Sequence, residues 1–275
     1  MLTKDQAICI RTVDYSETSQ VVTFFTKATG KINAIAKGSK RPKSAFGGPI
    51  ELLAHGRIVF CDSSGEKLAT LTEFESAAGT AGPAPHGTWG LLRNDLFALN
   101  CCLFAAELLN LLTDEHDPHP DLFDSFLQFL HDAQDAGDKS ETMALLILFQ
   151  LALLKEVGLQ PILSHCANCK TSIEHRASSI EHRASSIEHQ ESSIEHQVYF
   201  SSSANGLICR DCEPAFQDKF KLSRDAAAAL ANLRLLAESP QKTLLEIEKL
   251  LAHHFTELTG RRPKMAKHIL EAKLS

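Results

Sequence analysis

The sequence predicts an α+β protein in which a five-stranded N-terminal barrel precedes an all-helical domain with an embedded metal-binding ribbon. Three observations lead to this prediction. Residues 1–80 contain short runs rich in Val, Ile, Thr and Phe, the later residues repeat apolar positions at helical spacing, and two C-x-x-C pairs interrupt the helical part. We therefore expect four segments: the barrel at 1–80, helices at 81–163, the ribbon at 164–213, and further helices at 214–275.

Five strand-like runs fill the first segment. Turn-like stretches such as KATGK and DSSGE separate them, and none has a helical period. Five strands in about 75 residues are typical of a small antiparallel barrel, and an OB-fold is the common five-stranded form. An SH3-like barrel would leave a similar pattern and stays open as an alternative. The runs are AICIRTVDY, SQVVTFFT, KINAIAKG, PIELLAHGRIVFC and KLATLTEFE.

Beyond the linker-like stretch TAGPAPHG, apolar residues recur every three or four positions. LLRNDLFALNCCLFAAELLNLL therefore predicts an amphipathic helix. Ser140 is a plausible cap for a later helix that stops at Gly158. The other predicted helices are LFDSFLQFLHDA, SETMALLILFQLALLKEVG, SRDAAAALANLRLLAE, SPQKTLLEIEKLLAHHFTELTG and PKMAKHILEAKL.

The two cysteine pairs have the pattern of one zinc ribbon with a lengthened tip. They are Cys166/Cys169 and Cys209/Cys212, and 39 residues lie between them. A seven-residue unit, SIEHRAS and its variants, repeats there, and without three copies 18 residues would remain, inside the usual spacing of about 15–20. We interpret the repeat, residues 172–197, as a solvated extension, although a short amphipathic helix is possible. Two pairs of unligated thiols are the alternative to a metal site.

Four thiolates close the tetrahedral shell of Zn²⁺, so we expect one structural zinc ion per chain rather than a catalytic one. No phosphate-loop, H-E-x-x-H, G-x-S-x-G or G-x-G-x-x-G pattern occurs. We therefore do not expect an enzyme. The remaining cysteines lie in apolar runs and are expected to be small buried side chains: Cys9, Cys61, Cys101 and Cys102.

The net charge of −6 conceals an uneven distribution. Residues 27–57 and the last twenty residues are basic, whereas acids dominate residues 93–156. Such a chain can bind an anionic polymer while it stays acidic overall. No apolar run reaches the roughly 18 residues of a membrane span and no signal peptide is evident, so we expect a cytoplasmic protein without membrane contact.

The loop KGSKRPKSAFGG joins two predicted strands, so its cations can project together towards nucleic-acid phosphates. An ordinary solvated turn would have a similar composition. Phe46, between small residues of this loop, could stack on bases. The candidate DNA contacts are Lys31, Lys37, Lys40, Arg41, Lys43, Phe46 and Arg57, with Arg261, Arg262, Lys264 and Lys267 near the C-terminus.

Several stretches, in order along the chain, resemble the bacterial recombination mediator family RecO. They are the N-terminal AICIRTVDYSETSQVVTFFTKATGKINAIAKGSKRPKS, the helical AAELLNLLTDEHDPHPDLFDSFLQFL, and the cysteine-bearing LFQLALLKEVGLQPILSHCANC and YFSSSANGLICRDC. The resemblance implies an OB-fold, a helical domain and an embedded zinc ribbon. Met265 stands where the family usually has Ser, and the SIEH repeat is a further departure.

The resemblance also implies a function in DNA repair by the RecF pathway. It implies binding of single- and double-stranded DNA, annealing of complementary strands, and action with RecR to load RecA onto DNA covered by single-stranded DNA-binding protein, in the cytoplasm at the nucleoid. The alternative hypothesis is a zinc-ribbon adaptor that acts through protein contacts, with the acidic helices as its docking surface.

Overall fold

A computed structural model of the chain describes residues 2–41, 43–62, 68–77, 92–173 and 197–272. The TAGPAPHG linker and nearly all of the SIEH repeat lie outside the described residues. The strands are β1 Leu2–Asp14, β2 Gln20–Thr26, β3 Gly30–Ala36, β4 His55–Cys61, β5 Ala69–Ser76, β6 Val198–Ser201, β7 Gly206–Cys209 and β8 Lys219–Lys221. The α-helices are α1 Leu96–Leu112, α2 Pro120–Asp135, α3 Lys139–Glu156, α4 Arg224–Ala231, α5 Gln241–Thr259 and α6 Ala266–Leu270.

Strands β1 to β5 form a closed barrel in the order β1-β2-β3-β5-β4. All pairs are antiparallel except β3 and β5, which pair in parallel at Ala34 and Ile35. The interior is apolar and fully buried at Val22, Phe24 and Ile58, as inward-facing positions of a small barrel require. The α+β prediction, with a five-stranded N-terminal barrel followed by helices, is confirmed.

The long first strand makes the closure possible because it pairs with two neighbours. Its residues Leu2–Ile8 pair with β4, and Ala7–Asp14 pair with β2. The register shifts between Cys9 and Arg11, where a bulge bends the strand from one partner to the other.

Helices α1 and α2 cover one outer side of the barrel. The Asp95 side chain caps α1 by accepting hydrogen bonds from the N–H groups of Phe97 and Ala98, at 2.8 and 3.0 Å. On α2, Phe123 packs its ring 6.2 Å from that of Phe25 on β2. These contacts place a second apolar layer outside the barrel core.

Lys31 was expected to contact DNA, but it is buried beneath the helices and only 8% exposed. Its ammonium donates hydrogen bonds to the backbone carbonyls of Asn110, at 2.9 Å, and Thr113. Carbonyls at the end of α1 have no partner inside the helix, and a cation there also favours the helix dipole. Burial lowers the pKa of Lys31 from its usual value of 10.5. This lysine therefore caps a helix and is not available to phosphates.

The chain divides into two compact units, residues 1–136 with 267–275, and residues 137–266. These units differ from the predicted segments, because α1 and α2 group with the barrel instead of with α3. The predicted limits at 80, 163 and 213 stay predictions.

The second unit contains α3, the three-stranded sheet β7-β6-β8, α4 and α5. Helices α3 and α5 meet at a buried polar pair, in which Gln150 Nε2 donates to Glu248 Oε1 at 3.0 Å. The predicted helix across 223–238 is wrong in one respect, because it is broken at Asn232. There the backbone is extended and the side chain accepts a hydrogen bond from the N–H of Arg234, which starts a 3-10 turn.

No helix within the described ranges is long and apolar enough to cross a membrane.

Candidate metal centre and nucleic-acid interface

The four cysteines of the two C-x-x-C pairs converge on one point. Their sulfur atoms all lie within 4.8 Å of one another, and Cys169 Sγ is 3.7 Å from Cys209 Sγ. Zn–S bonds of about 2.3 Å in a regular tetrahedron place neighbouring sulfurs about 3.8 Å apart. The cluster Cys166, Cys169, Cys209 and Cys212 can therefore bind a metal ion, and its donor set and spacing fit Zn²⁺.

Main-chain hydrogen bonds to β7 hold the first pair beside the second. The N–H of Ile162 donates to the carbonyl of Asn205 at 2.9 Å, and the carbonyl of Ile162 accepts from the N–H of Leu207 at 2.8 Å. The N–H of Ala167 donates to the carbonyl of Leu207 at 2.7 Å. Gly206 allows the approach, because a Cβ atom there would lie 2.5 Å from the carbonyl oxygen of Ile162. Gly206 is the first residue of β7, and a glycine at this position reflects close backbone packing.

Polar groups around the cluster contact the sulfurs directly. The N–H of Cys209 donates to Cys166 Sγ at 3.4 Å, and Asn168 Nδ2 donates to Cys212 Sγ at 3.3 Å. Hydrogen bonding from Thr171 lowers the pKa of Cys169 to about 6, whereas burial raises the pKa of Cys209 to about 12. A cation at the centre would offset the cost of a buried thiolate, since metal-bound thiols are deprotonated.

Four predicted DNA contacts lie together on one loop at the end of the barrel. Lys37, Arg41 and Lys43 are exposed, whereas Lys40 is half-buried and its ammonium lies 2.5 Å from Asp14 Oδ1. The loop is anchored to the turn between β1 and β2, because the N–H of Lys40 donates to the carbonyl of Thr18 at 3.1 Å. We call residues 37–43 the basic loop.

The other predicted contacts are arranged differently. Arg57 on β4 pairs with Glu75 on β5, so its charge is already balanced. Phe46 is half-buried and packs against the barrel core, which leaves less of its ring for stacking than we expected. The C-terminal cations are exposed but divided between the units, with Arg261, Arg262 and Lys264 in the second and Lys267 in the first.

Sequence analysis missed an exposed aromatic side chain beside the basic loop. Tyr15 is 66% exposed at the start of the turn to which the loop is hydrogen-bonded. Its position in the sequence could have indicated this exposure, since Tyr15 directly follows a strand and precedes the polar turn SETS.

Two family models match the chain. The model described as Recombination protein O N terminal matches residues 1–79, and that described as Recombination protein O C terminal matches residues 93–267. A DNA repair protein RecO from Rhodopirellula baltica is 32% identical over 241 residues, which cover 86% of this chain and 77% of that protein. The DNA repair protein RecO of Bacillus pumilus is 28% identical over 270 residues, which cover 94% of this chain and 90% of that protein. The chain therefore belongs to the RecO family of DNA repair proteins.

Proposed function

We propose that this protein is a non-enzymatic mediator of DNA repair that binds DNA through the basic loop. The observation that carries the proposal is the exposure of Lys37, Arg41 and Lys43 on one anchored loop. Cations held together in this way neutralise successive phosphates and release the counterions condensed on DNA. Physiological salt screens charges that are more than about 8 Å apart, so the net charge of −6 on the whole chain does not prevent the loop from attracting phosphates close to it.

We further propose that the four-cysteine cluster holds one structural Zn²⁺ ion per chain. Cys166, Cys169, Cys209 and Cys212 would supply all four ligands and leave no position for water or substrate. The bound ion would join β7 to the segment that contains Cys166 and Cys169, and so stabilise the ribbon.

Family membership supports a finer proposal for the pathway. The protein would bind single- and double-stranded DNA, anneal complementary strands, and act with RecR to load RecA onto DNA covered by single-stranded DNA-binding protein. Arg261, Arg262 and Lys264, exposed beyond α5, would add a second region of DNA contact. This work would take place in the cytoplasm at the nucleoid.

The test is a titration of a fluorescent single-stranded oligonucleotide over a series of salt concentrations. A Lys37/Arg41/Lys43→Ala variant should bind more weakly, with a log–log salt slope that is shallower by about 2, since each lost phosphate contact removes about 0.7. The matched control, Lys155/Lys242/Lys249→Ala, loses the same charge from exposed positions of α3 and α5. Its slope should match the wild type.

Two results would contradict the proposal. If the loop variant and the control behaved alike, the basic loop would not be the DNA contact. If the wild-type protein bound no DNA, the adaptor hypothesis would replace the mediator. Mixing the protein with RecR and measuring the mass of the complex, then timing the annealing of complementary oligonucleotides, tests the finer proposal.

A further inference from the structure

The four cysteines of the cluster differ in how far solvent reaches them. Cys166 and Cys209 are buried, whereas Cys212 is half-buried and Cys169 is exposed. Each C-x-x-C pair therefore contributes one cysteine to a covered half of the cluster and one to a solvent-facing half. Water, competing chelators and thiol reagents reach the solvent-facing half, Cys169 and Cys212, first.

Side chains donate to the sulfurs of the solvent-facing half. Asn168 Nδ2 donates to Cys212 Sγ at 3.3 Å, and the Thr171 hydroxyl lies 3.2 Å from Cys169 Sγ. In the covered half, by contrast, the main-chain N–H of Cys209 donates to Cys166 Sγ at 3.4 Å. That contact does not depend on any side chain, so the identity of the surrounding residues matters most for the solvent-facing half.

The direction of both side-chain contacts follows from the charge of a metal-bound thiolate. Four thiolates around one divalent cation leave two negative charges on the shell. A thiolate only accepts hydrogen bonds, so the Asn168 amide turns its nitrogen towards Cys212, and the Thr171 hydroxyl donates to Cys169. Both contacts therefore disperse the negative charge of a filled shell.

Asn168 also connects the two cysteine pairs. It lies between Cys166 and Cys169 in the sequence, yet its amide contacts the sulfur of Cys212, 44 residues away. Asn168 and Thr171 are both exposed. Exposed polar side chains usually contribute little to folding, so the contacts of these two residues with sulfur indicate a role at the metal site.

We propose that Asn168 and Thr171 are positioning residues of the metal centre, which orient the sulfurs of Cys212 and Cys169 and slow the release of the ion. The inference rests on the proposed zinc site and adds where that site opens, which is through its solvent-facing half. Groups that hydrogen-bond to metal ligands fix their orientation and tune their basicity, and their loss typically lowers metal affinity by about 10- to 100-fold.

The test uses the full-length protein and a chromophoric chelator, which reports both the zinc affinity and the rate of zinc release. Asn168→Ala and Thr171→Val should each lower the affinity by about 10- to 100-fold and release the ion faster than the wild type. Thr171→Ser keeps the hydroxyl and should retain the wild-type affinity. Far-ultraviolet circular dichroism at saturating zinc should be the same for all variants, because both residues are exposed.

Ser164→Ala is the matched control. Ser164 is an exposed polar residue of the same segment, and its hydroxyl contacts His165 Nδ1, at 3.0 Å, instead of a sulfur. The zinc affinity and release rate of this variant should equal those of the wild type.

Replacing zinc by Co²⁺ gives a readout that a purely structural role would not change. Loss of a hydrogen bond raises the energy of the thiolate lone pairs, so the sulfur-to-cobalt charge-transfer absorption should shift to longer wavelength. We expect this shift in Asn168→Ala and Thr171→Val, and we expect none in Ser164→Ala.

The order of alkylation tests where the site opens. Brief treatment of the zinc-loaded wild type with iodoacetamide, followed by mass spectrometry, should label Cys169 and Cys212 before Cys166 and Cys209. The reverse order would overturn the inference.

Wild-type affinity, release rate and cobalt spectrum in both Asn168→Ala and Thr171→Val would also overturn it, and so would an equal loss of affinity in Ser164→Ala. In these cases the wild-type protein would still bind one zinc ion, so the proposed metal centre would stand. The metal centre itself fails if the wild-type protein binds no zinc.

Discussion

Replacing Glu248 by glutamine should stabilise the second unit at neutral and alkaline pH. Glu248 on α5 is completely buried and accepts one hydrogen bond from Gln150. The other side-chain oxygen of each residue, Glu248 Oε2 and Gln150 Oε1, is buried without a hydrogen-bond partner among the described residues. A proton on Glu248 would provide the missing donor, and burial raises the pKa of Glu248 from its ordinary 4.5 to about 8.

The size of the effect follows from the difference between the folded and unfolded pKa. Between about pH 4.5 and 8 the folded state holds a proton that the unfolded state has released, so stability falls as the pH rises through this window. At pH 7 the loss amounts to about 3 kcal/mol, at 1.36 kcal/mol per pKa unit. Glutamine is neutral throughout, and its amide can donate where the carboxylate cannot.

Urea unfolding followed by far-ultraviolet circular dichroism, at steps from pH 5 to pH 8, measures this difference. The advantage of Glu248→Gln over the wild type should grow by about 1.2 kcal/mol per pH unit on average and fall below about 1 kcal/mol at pH 5. The cysteine cluster is the same in both proteins, so its own pH dependence cancels. Glu257→Gln, exposed on the same helix, is the control and should show no such trend. A pH-independent difference, or a variant less stable than the wild type at pH 8, would refute the reasoning.

Three further predictions concern the barrel and the ribbon. Lys31→Met leaves two helix-end carbonyls without their donor and should lower the free energy of unfolding by about 2–3 kcal/mol. The control Lys37→Met changes an exposed lysine and should alter this free energy by less than about 0.5 kcal/mol. Equal urea midpoints for the two variants would contradict the capping role of Lys31. Elemental analysis of the wild-type protein should find one zinc ion per chain, which Cys169→Ser should lose and Cys61→Ser should keep. Retention of the ion by both variants would rule out the cluster as the site. Gly206→Ala should weaken zinc binding, because the added Cβ would clash with the main chain of Ile162, which positions the first cysteine pair. Competition with a chelator measures the affinity, and an unchanged value would show that this packing is not needed.

The elements of the fold could be predicted where local pattern and tertiary environment agree. Strands β1 to β5 come from runs rich in Val, Ile, Thr and Phe between turns, and all five occur, although the run PIELLAHGRIVFC becomes a strand only from His55. The helix broken at Asn232 could not be found from periodicity, because its apolar spacing continues across a residue whose side chain competes for a backbone N–H. The pairing of β3 with β5 depends on closure of the barrel, which no local signal encodes.

The candidate site was predictable in its chemistry and less so in its geometry. The cysteine spacing identified all four members of the cluster, since C-x-x-C pairs carry their own geometry. Lysines of one loop and of one strand look alike in sequence, yet Lys37 is exposed and Lys31 is buried against a helix that begins more than sixty residues later. Only the packing of α1 on the barrel distinguishes them.

The ribbon fixes both ends of the SIEH repeat, with Ser172 bridged to His165 and Val198 paired with Cys209. Each doubling of the length of a flexible connection raises the entropic cost of closing it by only about 0.6 kcal/mol. Three duplicated copies, which take the spacing from 18 to 39 residues, therefore cost the fold very little. A change in the number of copies at this point should therefore alter the stability of the fold very little. The same tolerance makes the repeat a place to insert an affinity tag or a fluorescent label.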